Sequence, residues 1–113
     1  MPYTKTKIAN GASLSGVIDL RGQALVAIQF PSAWTAADLS VQVSIDGVTF
    51  GEAFLDPGNG TGAALALDAA ASQVSVLTGV YIADCYIKIR SGPSGGAVNQ
   101  GADRDITLLT SPL

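Results

Sequence analysis

The stretch Leu39–Phe54, LSVQVSIDGVTFGEAF, carries the clearest structural signal in the chain. Its first half alternates apolar and polar residues with the two-residue period of a strand that has one buried face. The apolar positions are Leu39, Val41, Val43 and Ile45. Asp46-Gly47 follows, and this dipeptide favours a two-residue hairpin turn because both central residues of that turn need positive φ. The stretch therefore predicts a β-hairpin.

A two-residue turn also fixes which residues of the hairpin face each other. The predicted cross-strand pairs are Ile45 with Val48, Val43 with Phe50, and Leu39 with Phe54. These pairs place apolar side chains on one face, whereas Glu52 opposite Val41 does not fit that face. The mismatch predicts a bulge near Gly51, or an edge at which Glu52 reaches water.

Other segments have strand patterns as well. Ala24–Phe30 is apolar on both faces, which is typical of a central strand, and Val80–Arg90 and Asp105–Thr110 read as later strands. Short strands joined by turn-rich loops predict an all-β chain, folded as a single-domain antiparallel β-sandwich or jelly roll. The predicted core includes Val43, Ile45, Phe50, Ile87 and Ile89.

The length of 113 residues predicts one domain. We expect residues 1–10 to be an N-terminal arm and residues 11–113 to be the β-sandwich domain. Lys5 and Lys7 lie in the first ten residues, where there is no acidic residue. Two interpretations stay open for this segment, a basic arm that lies against an acidic neighbour and a solvated chain terminus.

Charged residues make up only 13% of the chain, against about 25% in an average soluble domain. The mean hydropathy is positive. An isolated small domain usually keeps charge on its surface for solubility. Either much of the surface is covered by neighbouring molecules, or the low charge reflects an alanine-rich style of composition.

Several classes of function are disfavoured. The chain contains no histidine, so neither a Ser-His-Asp triad nor a Cys-His pair is expected, and no imidazole is available for zinc. The net charge of −3 argues against a general nucleic-acid binder. No apolar run approaches the length of a membrane span, and no signal peptide is recognised, so we expect no membrane contact and synthesis in a cytoplasm. We expect no catalytic residue, no cofactor and no metal.

Three loops and one cysteine are the candidate sites in this sequence. Trp34 is expected to fold back over the end of the core, although a tryptophan in a loop also serves as an interface anchor. The uncharged segment Ser91–Ala102 matches no phosphate-binding motif and is interpreted as a mobile or interface loop. The turn 56–62 offers oxygen atoms but no established calcium spacing. Cys85 is expected to be a small buried residue, because no histidine is present to activate it.

The chain resembles a group of small virion proteins that tailed bacteriophages encode among their head and tail genes. The resemblance lies in Ala24–Phe30 with the following Pro31–Ala37, in Val41–Gly47, and in Tyr86–Gly92 with Val98–Arg104. Together these segments span nearly the whole chain. The resemblance implies a non-enzymatic structural protein of a phage particle, in the virion, after assembly in the bacterial host cytoplasm. It implies no catalytic residues.

Within that group we expect a capsid decoration or cement protein that binds the major capsid protein or other virion proteins. A homo-oligomer, with a trimer favoured, is expected because the charge content is low, the segments 31–37 and 91–102 are uncharged, and strand Ala24–Phe30 is apolar on both faces. The loops 31–38 and 91–104 are the expected contacts. The alternatives are a carbohydrate- or receptor-binding module of a phage fibre and a structural protein of the head–tail junction or tail. The predicted contact residues are Tyr3, Lys5, Lys7, Trp34, Tyr81, Val98, Asn99 and Gln100.

Overall fold

The computed structural model describes residues 3–113, which form strands and no helix. The strands are β1 (Tyr3–Ile8), β2 (Ile18–Asp19), β3 (Gln23–Gln29), β4 (Leu39–Ser44), β5 (Gly51–Glu52), β6 (Phe54–Leu55), β7 (Ala63–Ala64), β8 (Val74–Val76), β9 (Tyr86–Ser91) and β10 (Arg104–Pro112). All the strand pairs are antiparallel. The predicted all-β class is therefore confirmed.

Two four-stranded sheets make up most of the fold. Sheet 1 has the strand order β1-β10-β3-β8, sheet 2 has the order β2-β9-β4-β5, and β6 and β7 form a separate pair. Buried residues from both sheets, such as Ile28 and Leu108 from sheet 1 and Val41 and Ile89 from sheet 2, belong to one core. This arrangement is that of a β-sandwich. Jelly rolls also contain eight strands in two sheets, and that finer assignment stays a prediction.

Strand β3 is central, as its apolar sequence predicts, because it lies between β10 and β8. Its side chains nevertheless do not alternate strictly between the two faces. Ala27 pairs with Leu109 and Leu25 pairs with Thr110, so Val26 is an extra residue on β3. This β-bulge shifts the alternation by one position, and both Leu25 and Ile28 point into the core.

The predicted hairpin forms, but its register is wrong by one residue. Val43 pairs with Gly51 and Gln42 pairs with Glu52, so Glu52 never faces Val41. Only Gly47 of the Asp46-Gly47 pair has positive φ, which excludes the expected two-residue turn. Because side chains alternate every residue, a shift of one position moves them to the opposite face.

Side chains hold the longer loop that replaces this turn. The Asp46 carboxylate accepts hydrogen bonds from the backbone N–H groups of Val48 (2.8 Å) and Thr49 (2.9 Å), and the Ser44 hydroxyl accepts one from Gly47 (2.9 Å). These side chains thus form local turns in place of the ladder. Ile45 is consequently 94% exposed and not core, which corrects the prediction for this residue.

The rest of the predicted core divides in a similar way. Ile87 and Ile89 are fully buried, as predicted. Val43 is partly buried against the core, whereas Phe50 is half-exposed and carries the Lys88 ammonium 4.5 Å from its ring centroid. Cys85 is buried, as predicted, and burial raises the pKa of its thiol.

The N-terminal segment is not a free arm over the residues that the structure describes. Tyr3–Ile8 is the edge strand β1, paired along its length with β10, and Ile8 is fully buried in the core. The predicted boundary at residue 10 therefore cuts through the sandwich. The pairing with β10 and the burial of Ile8 together bind this segment to the domain.

Candidate functional site

The loops 31–38 and 92–103 meet at one end of the β4–β9 pair, which we call the closed end. Leu39 at the start of β4 pairs with Ser91 at the end of β9, so both loops leave the sheets there. Trp34 packs edge-on against Phe30 with 5.1 Å between ring centroids, and its indole N–H donates to the Ala37 carbonyl at 3.0 Å. Trp34 thus covers the core at this end, as the lid interpretation predicts, and the hydrogen bond fixes its ring.

Gln100 is the centre of the closed end. Its Oε1 accepts from Thr35 N–H (2.8 Å) and from Arg104 Nε (3.1 Å). Its Nε2 donates to the Thr35 carbonyl (3.1 Å) and to the Ser91 hydroxyl (2.7 Å). The backbone of Gln100 also bonds to Gly11 and Ala12. One amide side chain therefore joins both loops to strands β9 and β10.

These contacts correct the prediction that Gln100 is a surface contact. The residue is only 1% exposed, and both its donors and its acceptor are used inside the chain. The neighbouring Asn99 is exposed and Val98 is half-exposed, so these two remain accessible. Gln100 is a polar residue in a Gly-rich loop, and nothing in the sequence indicates whether such a side chain is buried and hydrogen-bonded within the chain or exposed as a contact residue.

Gly92 explains how the loop after β9 folds so tightly. Its φ is +107°, and a Cβ atom at this position would lie 2.4 Å from the Gly96 carbonyl oxygen and 2.7 Å from Val98 N. Only glycine fits such a close approach of backbone to backbone. The N–H of Gly92 donates to Asp38, and its carbonyl accepts from Ser40, so the segment is fixed on both sides.

Tyr3, Lys5 and Lys7 lie on the outer face of β1, away from the core. All three are exposed, and Tyr3 is 66% exposed. Lys7 lies 3.8 Å from Asp103, while Lys5 makes no ion pair with any described residue. Tyr3 pairs with Leu109 on the adjacent strand, and together with Lys5 they line a shallow groove on sheet 1. We call Tyr3, Lys5 and Leu109 the β1 surface.

Tyr81 lies in a different region, beside a group of exposed apolar side chains. It lines a crevice of about 490 Å³, whose rim also contains Ile45, Phe54 and Leu55. These four side chains are exposed, Tyr81 to 79%. The core residues Leu65, Ile82 and Cys85 form the floor. We call this feature the apolar crevice.

Local sequence explains why these apolar side chains are not buried. The loop 45–50 is held by Asp46 and Ser44, and it turns Ile45 outwards at the end of β4. The β6–β7 pair presents Phe54 and Leu55, both exposed, beside the sandwich. The segment 79–85 runs without strand structure, apart from a single bridge at Ala83, before β9 begins at Tyr86. The predicted strand Val80–Arg90 therefore starts six residues late.

One charged residue lines the apolar crevice, and it is acidic. Asp84 lines it, and Asp46 and Asp56 directly follow the rim residues Ile45 and Leu55. Among residues 3–113, no lysine or arginine lines the crevice. Hydrogen bonds from the N–H groups of Thr49 and Val48 and from Ser44 lower the pKa of Asp46 to about 2, so this carboxylate stays ionised at neutral pH.

The outer face of sheet 2, by contrast, is polar and internally paired. The Arg90 guanidinium contacts the Glu52 carboxylate, and Arg90 Nε donates to the Ser40 hydroxyl at 2.9 Å. The bond from Arg90 lowers the pKa of Glu52. Arg21 lies 5.0 Å from the ring centroid of Tyr86 and forms an ion pair with Asp19. Both arginines, Arg90 and Arg21, thus interact with partners within the chain.

The described residues, 3–113, include no group of three or more Cys, Asp and Glu side chains that could hold a metal ion. The turn 56–62 uses its own oxygens, since Asp56 accepts from Gly58 N–H and Asn59 accepts from Thr61 N–H. Nor does this part of the chain contain a helix with the length and hydropathy of a membrane span.

No protein-family model, no curated protein and no solved structure matches this chain.

Proposed function

We propose that this chain is a non-enzymatic structural protein of a tailed-phage particle, and that it decorates the head shell as a capsid decoration or cement protein. One observation supports the proposal more than any other, the cluster of exposed apolar side chains around the apolar crevice. A contiguous exposed apolar patch on a soluble domain is typically an interaction site. The low content of charged residues agrees with a surface that is covered by neighbours.

The partner in this proposal is the major capsid protein or another virion protein, and the chain acts as a homo-oligomer, with a trimer favoured. Aromatic residues are enriched among the residues that dominate binding energy at protein interfaces. Phe54 and Tyr81 lie on the rim of the crevice, and both are exposed. The resemblance to small phage virion proteins supports the same location, in the virion after assembly in the host cytoplasm.

The test is co-sedimentation of the purified chain with phage heads that were assembled without it. We expect the chain to pellet with the heads at a fixed copy number and to raise the temperature at which the heads release their DNA. The double variant Phe54→Ser/Tyr81→Ser should pellet less, while the matched control Val17→Ser, an exposed apolar residue of neither surface, should pellet like the wild type. A wild-type chain that stays in the supernatant at every concentration contradicts the proposal.

A carbohydrate- or receptor-binding module of a phage fibre is the second candidate. Two exposed aromatic side chains, Phe54 and Tyr81, line the same crevice, and aromatic faces stack on sugar rings. Three results together favour this function. The wild type binds an oligosaccharide, the Phe54→Ser/Tyr81→Ser variant does not bind it, and the wild type does not bind phage heads. A head–tail junction or tail protein is distinguished by imaging, which would place the chain on the tail and not on the shell.

A further inference from the structure

The apolar crevice and the β1 surface have complementary chemistry. The crevice offers apolar walls and a floor that reaches the core at Leu65 and Ile82. The β1 surface offers Tyr3, an exposed aromatic side chain with its ring available for burial, next to Leu109. Burial of an aromatic side chain is among the largest single contributions to an interface.

The charges of the two surfaces are also opposite. Asp84 lines the crevice, and Asp46 and Asp56 lie next to its rim. On β1, Lys5 makes no ion pair with any described residue and projects on the same face as Tyr3. Opposite charges around an apolar contact steer the encounter and fix its register. The acidic side chains at the crevice thus offer partners for Lys5, which forms no ion pair with any described residue of its own copy.

The two surfaces cannot meet within one copy. Strand β1 is at one edge of sheet 1 and β8 is at the other, with β10 and β3 between them. The lining segment 79–85 follows β8 and bonds to β3 through Leu25 N–H and the Ile82 carbonyl. The crevice therefore lies towards the β8 edge, on the far side of the sheet from Tyr3.

We propose that Tyr3 and Lys5 of one copy dock into the apolar crevice of a second copy of this chain, head to tail. The contact joins two different surfaces, so a pair of copies keeps one free crevice, on the first copy, and one free β1 surface, on the second. Such heterologous contacts close into a ring when the rotation between copies permits it. The inference rests on the proposed function in assembly, for which it supplies the contact between copies.

Two double variants test the contact, with sedimentation velocity over a range of concentrations as the measurement. The crevice variant is Phe54→Ser/Tyr81→Ser and the β1 variant is Tyr3→Ser/Lys5→Glu. All four side chains are exposed, so both variants should keep the wild-type circular dichroism and unfolding midpoint. We expect the wild type and the control Val17→Ser to associate, and each double variant alone to sediment as a monomer.

An equimolar mixture of the two double variants gives the deciding result. The β1 variant keeps an intact crevice and the crevice variant keeps an intact β1 surface, so the mixture should form a one-to-one dimer and stop there. A mixture that stays monomeric overturns the head-to-tail contact, as does a wild type that is monomeric at all concentrations. Continued association of either double variant alone also overturns it.

The same proteins separate this inference from the proposed function. A monomeric wild type that still pellets with phage heads overturns the contact between copies and leaves the decoration role in place. A wild type that associates through these surfaces but never pellets with heads overturns the decoration role and leaves the contact between copies in place. Sedimentation velocity measures association of the chain with itself, and co-sedimentation measures its binding to heads. Either result can therefore be negative while the other is positive.

Discussion

At the closed end of the β4–β9 pair polar side chains are buried and bonded, whereas at the opposite end apolar side chains are exposed. Gln100 at the closed end is almost fully buried and uses all its hydrogen-bonding groups within the chain. Ile45 lies at this opposite end, which we call the open end and which contains the loop 45–50 and the apolar crevice. It follows directly after β4 and is almost fully solvent-exposed. The comparison teaches that the hydropathy of a loop does not decide whether the loop is a surface for partners. What decides it is whether the chain itself supplies the contacts.

The largest effect is expected from Gly92→Ala at the closed end. An added Cβ would meet the Gly96 carbonyl oxygen at 2.4 Å, and the positive φ of Gly92 is unfavourable for alanine. Backbone strain and overpacking together should lower the free energy of unfolding by about 3 kcal/mol or more. Denaturant unfolding measures this loss.

Gly95→Ala is the matched control for this prediction. Gly95 also has positive φ, but nothing lies within 4 Å of the added Cβ atom. Its loss should be only the strain, about 1–2 kcal/mol. Equal losses in the two variants would mean that the loop after β9 rearranges easily, and that the closed end is less fixed than its hydrogen bonds indicate.

The second-largest loss of stability is expected from Gln100→Ala. The variant removes four side-chain hydrogen bonds and leaves partly buried groups of Thr35 and the buried hydroxyl of Ser91 without their partner. Because each unsatisfied buried group costs about 1–3 kcal/mol, we expect a loss of roughly 2–4 kcal/mol in the free energy of unfolding. Asn99→Ala, at the exposed neighbour, should stay within about 0.5 kcal/mol. A Gln100→Ala loss as small as that of the control would contradict the bridging role.

Patterns of alternation predicted the sheets but not the exceptions to alternation. Cys85, Ile87 and Ile89 were predicted buried and are buried, because β9 keeps a strict two-residue period. Ile45 was assigned to the core since the same period was continued beyond Ser44, where the loop begins. The bulge at Val26 is likewise a tertiary feature, which depends on the register with β10.

The candidate site was predictable only in part, for a related reason. Tyr3, Lys5 and Tyr81 were selected from the sequence and are exposed. Phe54 and Leu55 were missed as surface residues because the hairpin pattern placed Phe54 opposite Leu39. The only available signal was the turn-rich segment 56–62, which separates this pair from the rest of the sheet. The hydrogen bonds between Gln100 and Thr35 join residues that are 65 positions apart, and no local pattern encodes them.

A smaller and pH-dependent effect is expected at the open end from Asp46. Its pKa is lowered to about 2 in the folded chain from an ordinary value of 3.8, so its ionised form stabilises the fold. This stabilisation is complete above the ordinary pKa and is lost as the pH falls through the folded pKa. The difference in unfolding midpoint between the wild type and Asp46→Asn should therefore vanish between about pH 4 and pH 2. All other carboxyl groups are present in both proteins. If the difference in unfolding midpoint instead stays constant down to pH 2, the loss of stability in acid does not come from Asp46.

The smallest effect on stability is expected from Ile45→Ser, also at the open end. Ile45 gains almost nothing from burial, since its side chain is already in solvent, so the free energy of unfolding should change by less than about 0.5 kcal/mol. Val41→Ala is the control, because Val41 lies on β4 and is fully buried. This variant should lower the free energy of unfolding by roughly 2 kcal/mol under the same conditions. The measurement belongs at a concentration at which the chain is monomeric, because association would add stability to the wild type. A loss above about 1 kcal/mol in the monomer would make Ile45 part of the core. A negligible loss would instead mean that the fold does not require an isoleucine here, so that its apolar surface is available for a contact with another molecule.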